Sequence, residues 1–246
     1  MEFTDSVVIV TGSAERLGRS IAIGLAERGC NVVVHCHNDL DNGKDTVAQI
    51  ETGGGSAILV TSDLTTMEGV EHLVRSTLTH YGTWDGLVNC ASVFSTIPIE
   101  AVDGEIWMRD QNLHQMAPFF LSKELYLHRK STHGKIPACV VNITDTGVRN
   151  PVPSRPSYYC AKTALEDQVV ILGRTLAPFV RVNGVAPGAI IAASDEDIAY
   201  FKRLEPQLPL QQLASVDDVV ATVCFLFGND SITGQTIVVD GGEHLR

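Results

Sequence analysis

Short runs of consecutive β-branched and aliphatic residues alternate along the chain with longer stretches whose apolar residues recur every three or four positions. Residues 7–10, Val-Val-Ile-Val, form the first unbroken apolar run, the pattern of a strand buried on both faces. Residues 16–28 then place Leu17, Ile21, Leu25 and Ala26 on one helical face, and Gly29 is a stop signal. The same reading predicts strands at 31–34, 57–60, 85–89, 139–144, 180–185 and 236–239. It predicts helices at 41–51 (ended by Gly53-Gly54-Gly55), 67–81, 157–177 and 216–227, with a broadly helical stretch over 103–130. This βα alternation implies an α/β fold: a doubly wound, mainly parallel sheet flanked by helices, in one domain over residues 1–246. Residues 187–209, rich in acidic residues and proline, read as a long irregular loop near the carboxyl ends of the strands, where ligands bind.

Composition narrows the partners. Apolar residues make up 44% of 246, enough for a full core without staples. A net charge of −11 selects against nucleic acid and acidic membrane surfaces, though local donors can still hold an anionic small molecule. No apolar run approaches the roughly 18 residues of a membrane span. Strand pattern begins almost at once, so no signal peptide is expected and the cytoplasm is the expected location. None of the six cysteines forms a CxxC pair, and they read as reduced thiols.

Thr11-Gly12-Ser13-Ala14-Glu15-Arg16-Leu17-Gly18 joins the first predicted strand to the first helix. Gly12 permits a tight turn and close backbone approach to a pyrophosphate; Gly18 permits tight helix packing. The helix start offers free N–H groups and positive dipole character. Arg16 replaces the usual middle glycine, and its guanidinium either reaches a phosphate or is solvated. The second strand runs into His35-Cys36-His37-Asn38 without an acid for a ribose 2′-hydroxyl. With Arg16, this favours NADPH/NADP+ over NADH, although Asp39 and Asp41 follow closely and argue the other way. His35 and His37 share a strand face, but no third ligand is near and no metal is expected. In Asp63-Leu64, after the third strand, Asp63 either accepts from an adenine amino group or caps a helix. Asn89-Cys90-Ala91-Ser92, after the fourth, is small enough to admit a cofactor close to the backbone.

Tyr158 and Lys162, four apart at the start of a helix, share one face. An ammonium beside a phenol favours phenolate and brings the hydroxyl towards working pH. Taken in order, TGxxxxxG, Asp63-Leu64, Asn89-Cys90-Ala91-Ser92, Asn112, Tyr158-xxx-Lys162, Pro187-Gly188 and Asp240-Gly241-Gly242 resemble the short-chain dehydrogenase/reductase family over essentially the whole chain. The resemblance implies a Rossmann-like domain of seven parallel strands, a homotetramer, Tyr158 as proton donor, Lys162 as its tuner and ribose ligand, and Asn112 as anchor of a proton-relay water. Cofactor contact is assigned to Gly12, Arg16, Leu17, Gly18, His35, His37, Asn38, Asp63, Leu64, Asn89, Ala91, Ser92, Tyr158, Lys162, Pro187 and Gly188.

Four departures are similar to one branch, the pteridine reductases and related dihydromonapterin/dihydrofolate reductases: Arg16, the His35-x-His37 strand end, Ser92 in place of glycine, and Asp145 in place of serine. That likeness implies that Arg16 and Ser92 contact NADPH, that Phe94 stacks on a pterin, and that Asp145 joins Tyr158 and Lys162 in catalysis. Ser92, Phe94, Asp145 and Tyr158 are then the substrate contacts, with core packing the alternative for Phe94 and a turn or cap for Asp145. Asn38 stands where the eukaryotic pteridine reductases have an arginine. The chemistry suits an acid: reducing a C=N bond puts a proton on nitrogen, which a carboxyl can supply or relay. A general carbonyl reductase or alcohol dehydrogenase is the alternative, and a sensor on an enzyme fold a third reading.

Overall fold

A computed structural model describes residues 3–132, 137–192 and 194–246. Seven strands form one parallel sheet: β1 (Val7–Val10), β2 (Asn31–Cys36), β3 (Ser56–Thr61), β4 (Gly86–Asn89), β5 (Ala138–Ile143), β6 (Val180–Pro187) and β7 (Thr236–Val239). Their order is β3-β2-β1-β4-β5-β6-β7. The unbroken apolar run of β1 has a direct cause. Val8 and Val10 face one layer, with Ile21, Leu25, Val219 and Phe227. Val7 and Ile9 face the other, with Leu73, Trp84, Leu121 and Leu125. Each such side chain contributes about 1.5–3 kcal/mol when buried, so the two-sided strand anchors both layers. The winding reverses between β1 and β4, which opens a crevice at their carboxyl ends.

Eight α-helices connect and cover the strands among the described residues: α1 (Arg16–Ala26), α2 (Leu40–Thr52), α3 (Met67–Tyr81), α4 (Gly104–Gln111), α5 (Ala117–Ser131), α6 (Pro156–Thr175), α7 (Asp195–Leu204) and α8 (Val216–Gly228). Local chemistry sets their ends. Thr66 caps α3 by accepting from the Gly69 N–H, and Gly82 ends it at φ 71°. Ser215 and Asp218 form a reciprocal box at the start of α8.

Three expectations change. The helical stretch over 103–130 is interrupted by a π-turn, Asn112–Met116, just before Pro118, which has no N–H to give the helix ladder. Strand β2 runs two residues beyond its predicted end, which buries His35 and Cys36. Most importantly, the stretch at 187–209 is not all loop: it contains α7. Its acidic run is a helix start. Ser194 accepts from the Asp197 N–H (3.2 Å), Asp195, Glu196 and Asp197 lie at the positive end of the helix dipole, and Lys202 and Arg203 lie at the negative end. Position 193, within that predicted loop, lies outside the described residues.

Ser194→Ala should therefore raise amide exchange across α7 by roughly fivefold, the effect of losing about 1 kcal/mol of capping. Hydrogen-exchange mass spectrometry reads this directly, and equal exchange in both proteins would mean that the cap does not hold the helix.

Candidate active site

A cavity of about 1550 Å³ runs along the carboxyl ends of the strands. Gly12, Arg16, Leu17, Gly18, His35, His37, Asn38, Asp63, Leu64, Ala91, Ser92, Pro187 and Gly188 line it, as do Phe94, Asp145, Tyr158 and Lys162. Asn89 and Asn112 are not on its wall. The Asn89 amide donates to Asn142 (2.8 Å), tying β4 to β5, and the Asn112 amide donates to the Thr65 carbonyl (3.0 Å). The structure thus brings the Asn112 amide to a neighbouring turn rather than to the reacting centre.

The turn after β1 packs backbone on backbone. At Gly12 (φ 63°) an added Cβ would lie 2.6 Å from the Ala91 Cα, and at Gly18 it would run into the Gly12 carbonyl oxygen. His35 supports this turn from beneath. It is 2% exposed, its Nδ1 accepts from the Gly12 N–H (3.2 Å), and Nε2 is left to donate to the Ser62 carbonyl (3.1 Å). Its ring is spent on protein groups, so His35 shapes the site rather than offering a free donor to a cofactor. Burial pulls its pKa down to about 4, outweighing the Ser62 hydrogen bond. His37 points outward, 4.0 Å from Asp63, and the described residues contain no group of side chains suited to a metal.

Helix α1 begins without a side-chain cap and without an acid in its first turn. Its free N–H groups and the side-chain-free glycines fit a dinucleotide phosphate. Arg16 stands at φ 54°, a left-handed conformation normally left to glycine, and its Nη2 donates to the Ile191 carbonyl (3.3 Å). Asp63 is not the helix cap; that is Thr66. Its carboxylate accepts from the Thr65 N–H (2.9 Å) and hydroxyl (2.7 Å). Asp39 accepts from the Asn42 amide (2.9 Å) within the first turn of α2.

At the expected reacting centre the Tyr158 hydroxyl donates to Asp145 Oδ2 (2.6 Å), and the Gly147 N–H donates to Asp145 Oδ1 (2.7 Å). The Tyr158 shift runs opposite to the lowering expected from Lys162. Burial, then the charge of Asp145 and its hydrogen bond, raise the Tyr158 pKa well above the usual phenol value. The Lys162 ammonium donates to the Ile143 carbonyl (2.7 Å) and stands 5.8 Å from the Tyr158 ring centre. Phe94 is 55% exposed, so it is not a core residue; its ring meets Tyr158 edge to face at 5.0 Å.

Sequence reasoning missed His114. It is 1% exposed and its ring lies 5.3 Å from Tyr158. Its Nε2 accepts from the Ser92 hydroxyl (3.0 Å) and the Val93 N–H (3.3 Å), and Nδ1 donates to the Asp110 carbonyl (3.0 Å). Burial lowers its pKa to about 3. A single histidine in a helical stretch carries no spacing signal; only the fold brings it to Ser92. Tyr200 and Phe201 of α7, with Glu243, His244 and Arg246 near the end of the chain, also line the cavity and were equally invisible as site residues.

Three likenesses bear on this site. The family model described as enoyl-(acyl carrier protein) reductase matches residues 12–244. The chain is 31% identical over 246 residues to the 3-oxoacyl-[acyl-carrier-protein] reductase of Synechocystis sp., covering 97% of each chain. It resembles the crystal structure of FolM alternative dihydrofolate reductase 1 from Brucella canis complexed with NADP, at 35% identity and a TM-score of 0.90, covering 100% of this chain and 97% of that one.

His35 and His114 are held neutral, with folded pKa values near 4 and 3 against an ordinary 6.5. The unfolded chain therefore takes up protons first as pH falls. Stability should drop from pH 6.5 down towards 4, by about 1.4 kcal/mol per pH unit for each histidine. Urea unfolding at pH 7 and pH 5 checks this; a flat profile would mean that one or both rings are not held neutral.

Proposed function

This chain is an oxidoreductase of the short-chain dehydrogenase/reductase family, and we propose that it reduces the C=N bond of a dihydropterin or dihydrofolate with NADPH. The observation that carries the proposal is the carboxylate of Asp145 on the hydroxyl of Tyr158. An ionised carboxylate only accepts hydrogen bonds, so it repels a developing alkoxide rather than stabilising one. It is compatible with ring N–H groups, and it keeps Tyr158 protonated. A site that must give up a proton, as in reduction, benefits from a hydroxyl that holds it.

NADPH, when bound, supplies hydride to the ring carbon. The nitrogen that gains negative charge as hydride arrives is a stronger base than phenolate, so Tyr158 delivers its proton despite its raised pKa. Lys162, buried at 3% exposure, places an ammonium close enough to offset the negative charge left on the Tyr158 oxygen. Phe94 offers an exposed ring at the cavity wall for a flat substrate. Arg16 and the uncapped start of α1 serve the cofactor phosphates, and Asp39, which follows β2 at the cavity wall, has one carboxylate oxygen held by the Asn42 amide. The FolM-like structure with NADP supports this choice of cofactor and substrate class. The 3-oxoacyl relative favours a second reading, in which the substrate is a ketone.

Assays with NADPH and dihydrobiopterin, dihydromonapterin or dihydrofolate test the proposal. Asp145→Asn should lower kcat about 100-fold or more on the accepted substrate. A protein that binds NADPH but reduces none of the three overturns the pterin reading, and a gain of ketone turnover in Asp145→Ser would favour the second. The cofactor reading is separate. Kd for NADPH should lie well below that for NADH, and Arg16→Ala should weaken NADPH by roughly tenfold, the loss of a charge-assisted hydrogen bond. Equal Kd values for the two cofactors in the native protein would refute it.

A further inference from the structure

Several arginines line the cavity, and most are already engaged. Arg109 pairs with Asp110 (2.8 Å) and Arg149 with Glu166 (3.0 Å). Arg16 donates to the Ile191 carbonyl (3.3 Å) and Arg246 to Gln207 (2.9 Å). Arg155, the residue before α6, differs. Its Nε is buried with no hydrogen-bond partner among the described residues, and its guanidinium lies 3.9 Å from the centre of the Phe94 ring. A cation on a ring face gains cation–π attraction, but that leaves the buried Nε–H without an acceptor, which costs free energy.

The placement is built rather than incidental. The Phe94 and Arg155 segments are tied together by the Ile97 N–H, which donates to the Ser154 carbonyl (2.8 Å). Tyr158 follows Arg155 by about one helical turn, and Phe94 contacts both the Tyr158 ring, edge to face, and the Arg155 guanidinium. The contacts thus run from Tyr158 through Phe94 to Arg155. A flat substrate reacting at Tyr158 against Phe94 would direct its ring substituent towards the guanidinium.

Building on the pterin reading above, we infer that Arg155 forms an anion subsite for a carboxylate or phosphate at the far end of the substrate's ring substituent. Planar, always charged and forked, arginine suits both acceptors. The subsite makes acid-tailed substrates better than those with neutral polyol tails.

The test compares the native protein with Arg155→Gln, using NADPH and three substrates: dihydrofolate (carboxylate tail), dihydroneopterin phosphate and dihydrobiopterin (neutral tail). In Arg155→Gln, kcat/KM for an anionic substrate should fall about tenfold relative to that for dihydrobiopterin, and Arg155→Lys should keep part of the preference. Whichever anionic substrate loses the preference identifies the tail. An equal fall on all three, expected if Arg155 only props Phe94, overturns the inference, as does no fall. If the native protein reduces none of the three, the pterin reading fails separately. The subsite is then judged by titrating 4-aminobenzoylglutamate and inorganic phosphate into the NADP+-loaded proteins: a tenfold weaker Kd in Arg155→Gln supports it, and values within twofold overturn it.

Discussion

At the switch point of the sheet, β1 and β4 are fastened by backbone and by one hydroxyl. The Thr11 side chain accepts from both the Cys90 and Ala91 N–H groups, each at 3.0 Å. Beside it, Gly12 leaves room for Ala91 at a distance no side chain would allow. His35 holds the same turn from β2. The constraint is steric: two loops must meet without side chains between them. Once they do, the start of α1 faces the cavity on one side, and the segment carrying Ser92 and Phe94 faces it on the other.

The second theme is where charge is allowed to stand. Buried polar groups here are mostly neutral and committed. His35 and His114 accept from backbone N–H groups and donate to carbonyls, so neither can take a proton without losing a bond. Lys162 and Asp145 carry the charge at the centre, with Tyr158 between them in function: bonded to the acid and within electrostatic reach of the base. Surrounding a charged pair with fixed neutral dipoles preorganises the site and limits how far it must rearrange as charge moves.

The fold was largely legible because its signals are local and repeated. An apolar run such as 7–10 has one sensible home in a two-layered parallel sheet, and the helix over 67–81 shows both its periodicity and its stop at Gly82. Helix α7 was missed because its acidic residues resemble loop composition, although Ser194 with acids after it is also a helix start. Within the site, Asp145 stood out because it departs from the family pattern, and Phe94 because it matches the pattern of one branch. His114 and Arg155 follow no pattern; their significance is a matter of contact across the fold, between segments over 20 residues apart for His114 and Ser92. The direction of the Tyr158 shift was also beyond the sequence, since it depends first on how deeply the fold buries the phenol and then on its contact with Asp145.

The bare start of α1 has a consequence for the lifetime of the protein. Four of the eight α-helices among the described residues start on their own side-chain acceptor (Thr66, Asp103, Ser194 and Ser215), but α1 leaves its N–H groups open to whatever anion enters the cavity. Any ligand that binds there binds only the folded chain, and at about 100 times its Kd it adds roughly 2.7 kcal/mol to folding. A ligand bound there would thereby lower the unfolded fraction that a protease can cut.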